Sequence, residues 1–177
     1  ISELLHKQCR RYEIVWLFKN PEEKSKIVPE YVRCVKIGTK QAYREMATAR
    51  VWVFNGLVRQ SVYKGRKQVY IQTWHGDRGF KKILLDLKKR KDIVESNICD
   101  LMLVGSTFGE KVCRSAFGYN GKVYKFGCPR NDILVNSSEE DVINIKSKLG
   151  IDKNTKVLLY APTFRRKEKE RELLDID

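Results

Sequence analysis

The feature that most constrains the fold is a regular alternation of short apolar segments with amphipathic ones along the chain. The apolar segments are rich in Val, Ile and aromatic residues, and they predict strands at residues 13–18, 32–37, 51–54, 69–74, 100–104, 122–126 and 157–160. Helical periodicity between them predicts helices at residues 41–47, 80–91, 107–117 and 137–149. Strands that alternate with helices are typical of parallel sheets covered by helices. We therefore predict an α/β chain with a Rossmann-like parallel sheet and helices on both faces.

Several predicted helix ends carry capping residues. Thr39 is suited to cap the helix that continues to residue 47, and Gly118 is suited to close the helix that ends near residue 117. Ser137 and Glu140 have the spacing of a capping box, and Gly150 follows the helix that they would begin. These residues set the expected borders of the helices.

Three unusual polar segments each follow a predicted strand directly. They are residues 75–77 (His-Gly-Asp), residues 128–132 (Cys-Pro-Arg-Asn-Asp) and residues 162–165 (Pro-Thr-Phe-Arg). In parallel sheets the carboxyl ends of the strands meet at one edge, and ligands bind there. The sequence therefore predicts a binding site made from these segments.

The motifs that are missing exclude several function classes. No GxGxxG or GxxxxGK[ST] pattern follows a strand, which argues against a dinucleotide oxidoreductase and a P-loop NTPase. The five cysteines are odd in number and lack CxxC spacing, so we expect reduced thiols and neither disulfides nor a metal site. No cofactor is predicted, and no apolar run approaches the ~18 residues of a membrane-spanning helix. The chain opens on Ile1 without an initiator Met, so we expect it to be part of a longer protein.

The charge balance predicts an anionic partner. The chain has 36 Lys and Arg against 22 Asp and Glu, a net charge of +14. Six of the basic residues lie on the helix predicted at residues 80–91, interrupted only by Asp86 and followed by Asp92; they are Lys81, Lys82, Lys88, Lys89, Arg90 and Lys91. Such a face suits a phosphate polymer or an acidic membrane. No nucleic-acid-binding motif accompanies it, so we predict no nucleic acid partner.

His75 is the best single catalytic candidate, since the chain has only one other histidine, His6. An imidazole at a strand end is able to take a proton from a hydroxyl group near neutral pH, and Gly76 would let a ligand approach closely. The alternative is a histidine that only hydrogen-bonds a loop. Residue spacing does not separate the two.

The arginines of the other two segments also allow two interpretations. Arg130, Asn131 and Asp132 are suited either to bind an anion or to form a turn after Pro129. Thr163 and Arg165 are suited either to bind a phosphate or to form an ordinary strand exit.

Taken together, three motifs resemble the CDP-glycerol glycerophosphotransferase family of teichoic-acid primases and polymerases. They are Gln-Thr-Trp-His-Gly at residues 72–76, Gly-Cys-Pro-Arg-Asn-Asp at residues 127–132 and Leu-Tyr-Ala-Pro-Thr-Phe-Arg at residues 159–165. The resemblance covers about residues 52–165. After the His-Gly pair the family usually has a Thr-Pro-Leu-Lys type of run, where this chain has Asp77 to Lys81.

The resemblance implies a GT-B architecture of two Rossmann-like domains and a transfer of glycerol phosphate, or a related polyol phosphate, from a CDP-linked donor. The acceptor would be a hydroxyl of a lipid-linked cell-wall or capsule polymer at the inner face of the plasma membrane, and CMP would leave. His75 would be the base. Trp74, Gly76 and the arginine segments would bind substrate.

The resemblance also implies a division of the chain. Residues 1–136 would form the Rossmann-like acceptor-side domain, and residues 137–177 a linking helix and the first strand of a truncated nucleotide-binding domain. We expect such a fragment to bind CDP-glycerol weakly or not at all by itself. Two alternatives stay open: a non-catalytic basic module that binds an anionic polymer or membrane, and a GT-B glycosyltransferase that uses a sugar nucleotide.

Overall fold

The structure, a computed structural model, describes residues 1–58, 62–77, 82–87 and 95–161. All sheet pairing in these ranges is parallel. The strands are β1 (Ile14–Phe18), β2 (Val32–Lys36), β3 (Val51–Phe54), β4 (Val69–Gln72), β5 (Leu101–Leu103) and β6 (Lys122–Tyr124). The α-helices are α1 (Ser2–Gln8), α2 (Pro21–Lys24), α3 (Lys40–Thr48), α4 (Glu95–Ile98), α5 (Thr107–Ala116), α6 (Asp132–Asn136) and α7 (Glu139–Lys148).

The strands form two separate parallel ladders. Strands β1 and β2 pair with each other, with Ile14 opposite Val32. Strands β3, β4, β5 and β6 form a four-stranded sheet in chain order. The α/β class with parallel sheets is as predicted, and the carboxyl ends of the four strands lie along one edge.

Large side chains on β3, β4 and β5 and directly after α5 make most of the core. Trp52 and Tyr70 are buried in one cluster, and Met102, Phe117 and Tyr119 are buried in another. Cys99 is partly buried and packs against both clusters. Full burial of each such side chain contributes ~1.5–3 kcal/mol, so the four-stranded sheet is held mainly by this packing.

Two predicted caps are confirmed. The Thr39 side chain accepts a hydrogen bond from the Ala42 N–H at the start of α3. Gly118 follows α5 with a φ of +58°, the left-handed conformation that ends many helices. The capping box of α7, however, lies one residue later than predicted, between Ser138 and Asp141.

Two predicted elements differ from the structure. Residues 157–160 pair with no strand in the described part of the chain, and Leu158 is 87% exposed, so the predicted strand is wrong there: a strand needs a hydrogen-bonded neighbour. Within the helix predicted at residues 80–91, only residues 82–87 are described, and they contain a 3-10 helix, Leu84–Leu87. Leu84 has a φ of 51°, which interrupts an α-helical path, although Ile83 and Leu84 do pack against the core.

The chain divides into two compact units, Ile1–Val135 and a second that begins at Asn136. The roles predicted for residues 1–136 and 137–177, acceptor-side and nucleotide-binding, stay predictions. In the described ranges, no helix combines the length and the apolar character that crossing a membrane requires.

Arg33 connects three parts of the first unit. On β2, its Nε donates to Glu13 at 2.6 Å, just before β1, and its Nη1 donates to Glu45 on α3 at 2.8 Å. The hydrogen bond from Arg33, reinforced by its positive charge, holds the pKa of Glu45 below the ordinary value of 4.5. The two carboxylates in turn raise the pKa of Arg33.

We expect Arg33→Met to lower the melting temperature by a few degrees at pH 7, because both carboxylates lose their shared cation. The folded-state pKa of Glu45 is depressed, so its contribution is present above pH 4.5 and is lost as the pH falls through the folded-state value. The difference between variant and parent should therefore shrink in melts run at progressively lower pH.

Lys36→Met is the matched control. Lys36 lies on the same strand, is exposed, and has no ion-pair partner in the described residues. It should melt like the parent protein at every pH. A deficit in Arg33→Met that stays constant down to pH 2 would contradict the electrostatic explanation.

Candidate active site

The candidate site lies at the carboxyl edge of the four-stranded sheet, where four strand exits come together. Residues 55–56 follow β3, residues 73–77 follow β4, residues 105–106 follow β5 and residues 127–130 follow β6. The exits are tied to one another by their backbones: Thr73 N–H donates to Phe54 O at 2.9 Å, and Gly127 N–H donates to Val104 O at 3.1 Å. Segments far apart in sequence therefore share one rim.

Gln72, the last residue of β4, is a completely buried amide beneath this rim. Its Nε2 donates to the Gly56 carbonyl at 2.9 Å and to the Tyr70 hydroxyl at 2.8 Å, and its Oε1 accepts from the Trp74 N–H at 2.8 Å. A buried amide is costly unless it is hydrogen-bonded. These bonds therefore hold the exits of β3 and β4 in one arrangement.

Trp74 turns the chain between β4 and His75. Its φ of 55° lies in the left-handed region, which a bulky side chain rarely adopts, at a cost of order 1–3 kcal/mol. The hydrogen bond that the Trp74 backbone N–H donates to Gln72 supports this backbone, and the indole packs edge-on against buried Phe117 at 5.1 Å. The indole also stacks on the His75 ring, with centroids 4.2 Å apart.

His75 is exposed, and its ring is oriented from two sides. The Trp74 indole stacks on the ring, and Nδ1 of His75 lies 2.7 Å from the backbone carbonyl oxygen of Asn55. A carbonyl only accepts, so this contact assigns the proton to Nδ1 and leaves a lone pair on Nε2. The histidine thus does hydrogen-bond a loop, as one interpretation predicted, and that bond leaves Nε2 able to accept a proton.

Asp77 anchors the same loop to the start of α5. Its carboxylate accepts hydrogen bonds from the Gly105 N–H at 2.7 Å and from the Ser106 hydroxyl at 2.6 Å. Ser106 is also the N-cap of α5, accepting from the Gly109 N–H at 2.9 Å. A side chain at Gly109 would overlap the Asp77 carboxylate, and one at Gly105 would crowd it. The two glycines therefore make the space that the carboxylate fills.

Arg130 lies next to the loop that carries His75. A Cβ atom built on Gly76 would lie 3.5 Å from Arg130 Nη2, so the guanidinium passes directly over this glycine. The segment forms a 3-10 turn, Pro129–Asn131, and α6 begins at Asp132, so its backbone does adopt a turn. Arg130 is nevertheless exposed and, across the residues that the structure describes, pairs with no carboxylate.

The structure thus brings together His75, Gly76 and Arg130, with Trp74 beside them. Asn131 and Asp132 are exposed on the same segment. Thr163 and Arg165 lie outside the described residues, and so do all the predicted basic-face residues except Lys82, which is exposed. The described ranges contain no group of three or more His, Cys, Asp or Glu suited to hold a metal ion.

Sequence reasoning did not name Asn55, and it named Gln72 and Asp77 without predicting their contacts. Asn55 follows β3, so the same strand-end rule could have found its position. Gln72 lay in the motif at residues 72–76, and as a lone amide in an otherwise apolar strand it suggests a structural polar contact. Asp77 lay in the polar segment at residues 75–77, but no local pattern indicates its partners, which are 28 and 29 residues away.

We expect Asp77→Ala to destabilise the protein by ~1–3 kcal/mol, because the Gly105 N–H and the Ser106 hydroxyl lose a charged acceptor. Urea unfolding measures this loss. Glu30→Ala, which removes an exposed carboxylate without a hydrogen-bond partner in the described segments, is the control and should unfold like the parent. Equal midpoints for all three proteins would contradict the anchoring role.

A double-mutant cycle tests the close fit between Gly109 and the Asp77 carboxylate. Gly109→Ala should not stabilise the parent, because the new Cβ displaces the Asp77 carboxylate. In the Asp77→Ala background the space is free, and alanine favours a helix over glycine by up to ~1 kcal/mol. The same substitution should therefore be stabilising there. An identical effect in both backgrounds would contradict the close fit.

Comparison with known proteins points to one family. The chain is 31% identical over 180 residues to a teichoic acid poly(glycerol phosphate) polymerase of Staphylococcus epidermidis, a match that covers 93% of this chain and 24% of that protein. It is 35% identical over 133 residues to the polymerase of the same name from Bacillus spizizenii, covering 68% of this chain and 34% of that one.

A solved structure shows the same likeness in three dimensions. A variant of the wall teichoic acid polymerase TagF superimposes with a TM-score of 0.82 and 28% identity, covering 99% of this chain and 46% of TagF. This likeness confirms the predicted α/β fold of the GT-B type. The chain spans less than half the length of each of these proteins.

The motifs, the parallel sheet and the comparisons agree on the family that the sequence predicted. The family model of CDP-glycerol:poly(glycerophosphate) glycerophosphotransferase matches residues 1–177 of the chain. The chain therefore belongs to the CDP-glycerol glycerophosphotransferase family.

Proposed function

We propose that the protein to which this chain belongs transfers glycerol phosphate from CDP-glycerol to a hydroxyl group of a growing polymer, with release of CMP. Family membership supports this reaction class, as do the names of the relatives. The observation that carries the proposal is local. An exposed imidazole has its Nδ1 on the Asn55 backbone carbonyl, and the loop that bears it lies next to Arg130; within the described residues neither Nε2 nor the guanidinium has a partner.

The proposed reaction is an in-line displacement at phosphorus. His75 Nε2 removes the proton from the acceptor hydroxyl, and the resulting oxygen nucleophile attacks the phosphorus that carries glycerol. A new P–O bond forms, the P–O bond to the CMP phosphate breaks, and CMP leaves with the electron pair. Catalysis of this kind depends on positioning and on stabilisation of charge.

The residues around His75 supply both the positioning and the stabilisation of charge. Trp74 and the Asn55 carbonyl hold the imidazole in one orientation, so little motion is needed at the moment of proton transfer. Arg130 lies where a phosphate next to His75 would meet a guanidinium, which suits charge stabilisation. In this proposal the substrate-binding residues are Trp74, Gly76, Arg130, Asn131, Asp132, Thr163 and Arg165.

The donor would be held largely by the predicted nucleotide-binding domain that begins in the second unit. For the acceptor we propose a lipid-linked polyol-phosphate or glycan chain, and for the location the cytoplasmic face of the plasma membrane, approached peripherally. The net charge of +14 supports a partner of this kind, because an anionic surface attracts such a protein.

His75→Ala should lower turnover by ~10²–10⁴, the usual contribution of a general base. The assay is CMP release by the full-length protein, with thermal melts in parallel. Folding should survive, since His75 is exposed and packs mainly on Trp74. His6→Ala is the matched control: it removes the other histidine, which stacks on Tyr31, and should keep turnover near that of the parent.

Three results would contradict parts of this proposal. Turnover within a few fold of the parent, together with a lower melting temperature, would make His75 a structural residue. Release of a nucleotide from a sugar nucleotide, with no CMP from CDP-glycerol, would favour the alternative glycosyltransferase. Polymer binding without turnover of any donor would favour a non-catalytic module.

Membrane docking has its own test. The full-length protein should bind anionic vesicles and release them as salt rises, because exposed charges are screened within ~8–10 Å at physiological ionic strength. Replacing the four basic residues 88–91 by Gln should weaken binding more than replacing four exposed lysines elsewhere; the control set is Lys19, Lys26, Lys36 and Lys40. Equal losses would contradict a dedicated basic face.

A further inference from the structure

A cavity lies at the opposite edge of the four-stranded sheet from His75. It has a volume of about 390 Å³ and is lined by Ala47, Tyr63, Gly65, Arg66, Lys67 and Gln68. These residues come just before β4 begins at Val69 and from the last turn of α3. His75, by contrast, follows the carboxyl end of β4, so the two places are separated by the length of the strand, ~13 Å at about 3.3 Å per residue.

The loop that forms the cavity is held in one shape by Gln68. Its Nε2 donates to the Met46 carbonyl at 2.8 Å, beside further bonds to the end of α3, and its Oε1 accepts from the Gly65 N–H at 2.8 Å. Lys64 closes the loop from the other side, donating to the Gln68 carbonyl at 2.9 Å and pairing with Asp100 at 3.1 Å. These bonds hold the loop that carries Arg66 and Lys67 in one shape, and the two basic side chains extend from it into solvent.

Of the three basic residues on this loop, one has an acidic partner in the described residues and two do not. Lys64 is neutralised by Asp100, whereas Arg66 and Lys67 are exposed and have neither an ion pair nor a hydrogen bond within the described ranges. The lining contains no acidic residue. Two like charges on neighbouring residues that line one cavity repel each other, and an anion bound near both relieves that repulsion. Arginine in particular matches phosphate oxygens with a pair of parallel hydrogen bonds.

The rest of the lining is suited to a carbon chain that carries such an anion. Tyr63 is 83% exposed and offers an aromatic face, and Ala47 and Gly65 add small uncharged surface. Alternating phosphate and short aliphatic groups would meet the two cations and this apolar surface in turn. A lone phosphate would use only the cations.

We propose that this cavity is a second anion site that binds phosphodiester groups of a poly(polyol phosphate) chain, away from the site of transfer. The identity of the polymer rests on the proposed function; the anion site itself rests on the unpaired cations and the fixed loop. Because the two sites lie at opposite edges of the sheet, only a chain of several repeats reaches both. Contact at a second point raises the effective concentration of long acceptors at His75.

The test compares Arg66→Ala/Lys67→Ala with the parent in the full-length protein. Affinity for a poly(glycerol phosphate) of about twenty repeats should fall about tenfold, and the KM for that acceptor should rise by a similar factor, because two charged contacts are lost. Turnover on an acceptor with a single glycerol phosphate should be unchanged, since neither residue is near His75. The melting temperature should also be unchanged.

Lys19→Ala/Lys36→Ala is the charge-matched control, since both lysines are exposed on another part of the first unit. It should lose little polymer affinity. Equal loss in the two double variants would overturn the proposal, because general charge would then explain the binding. Unchanged polymer affinity in Arg66→Ala/Lys67→Ala would overturn it as well.

Two further probes identify the source of the phosphate. Inorganic phosphate should compete with the polymer only weakly, and binding to anionic vesicles should be the same in variant and parent. Loss of vesicle binding with unchanged polymer affinity would overturn the proposal in favour of a lipid site. Direct binding measurements need no turnover, so a failed CMP-release assay would disprove the proposed function while the polymer-binding result still decides this inference.

Discussion

The candidate site depends above all on the hydrogen bonds of one buried amide. Gln72 has no exposed surface, and the polar atoms of its side chain bond Gly56, Tyr70 and the backbone of Trp74. Because an unpaired buried amide is expensive, the exits of β3 and β4 have little freedom to separate. The strained turn at Trp74 persists for the same reason, and this turn brings His75 to the surface with its ring stacked and its Nδ1 engaged.

The loops at the two edges of the four-stranded sheet are each held by a polar side chain. At the carboxyl edge, the Asp77 carboxylate fills the space beside Gly105 and Gly109. It joins the His75 loop to the start of α5, so the loop is tied to a rigid element. At the amino edge, Gln68 ties its loop to the end of α3 and leaves two cations unpaired in the described structure. Each edge also carries basic side chains that have no partner among the described residues, Arg130 at the carboxyl edge and Arg66 and Lys67 at the amino edge, and a guanidinium or ammonium group is suited to meet phosphate.

Much of the fold could be predicted because its signals are local. Val and Ile runs marked six strands to within a few residues, and Thr39 and Gly118 were identified as caps from their own chemistry. Errors arose where two local interpretations compete. Adjacent serines at 137 and 138 both have an acidic residue three positions later, and the box forms at the second. Residues 157–160 have the composition of a strand, but pairing needs a partner that composition does not supply.

The sequence by itself determined the α/β class, the family and the polar segments at the strand ends, since these follow from periodicity and from motifs contiguous along the chain. Only the tertiary structure decided which groups meet. The Asn55 backbone carbonyl contacts His75, although the two residues are 20 positions apart in the sequence. Asp77 likewise binds Gly105, which lies 28 positions further along the chain. Arg130 passes over Gly76 because β4 and β6, one strand apart in the parallel sheet, end at the same edge. Such contacts depend on how parallel strands align their ends, and no local pattern records that alignment.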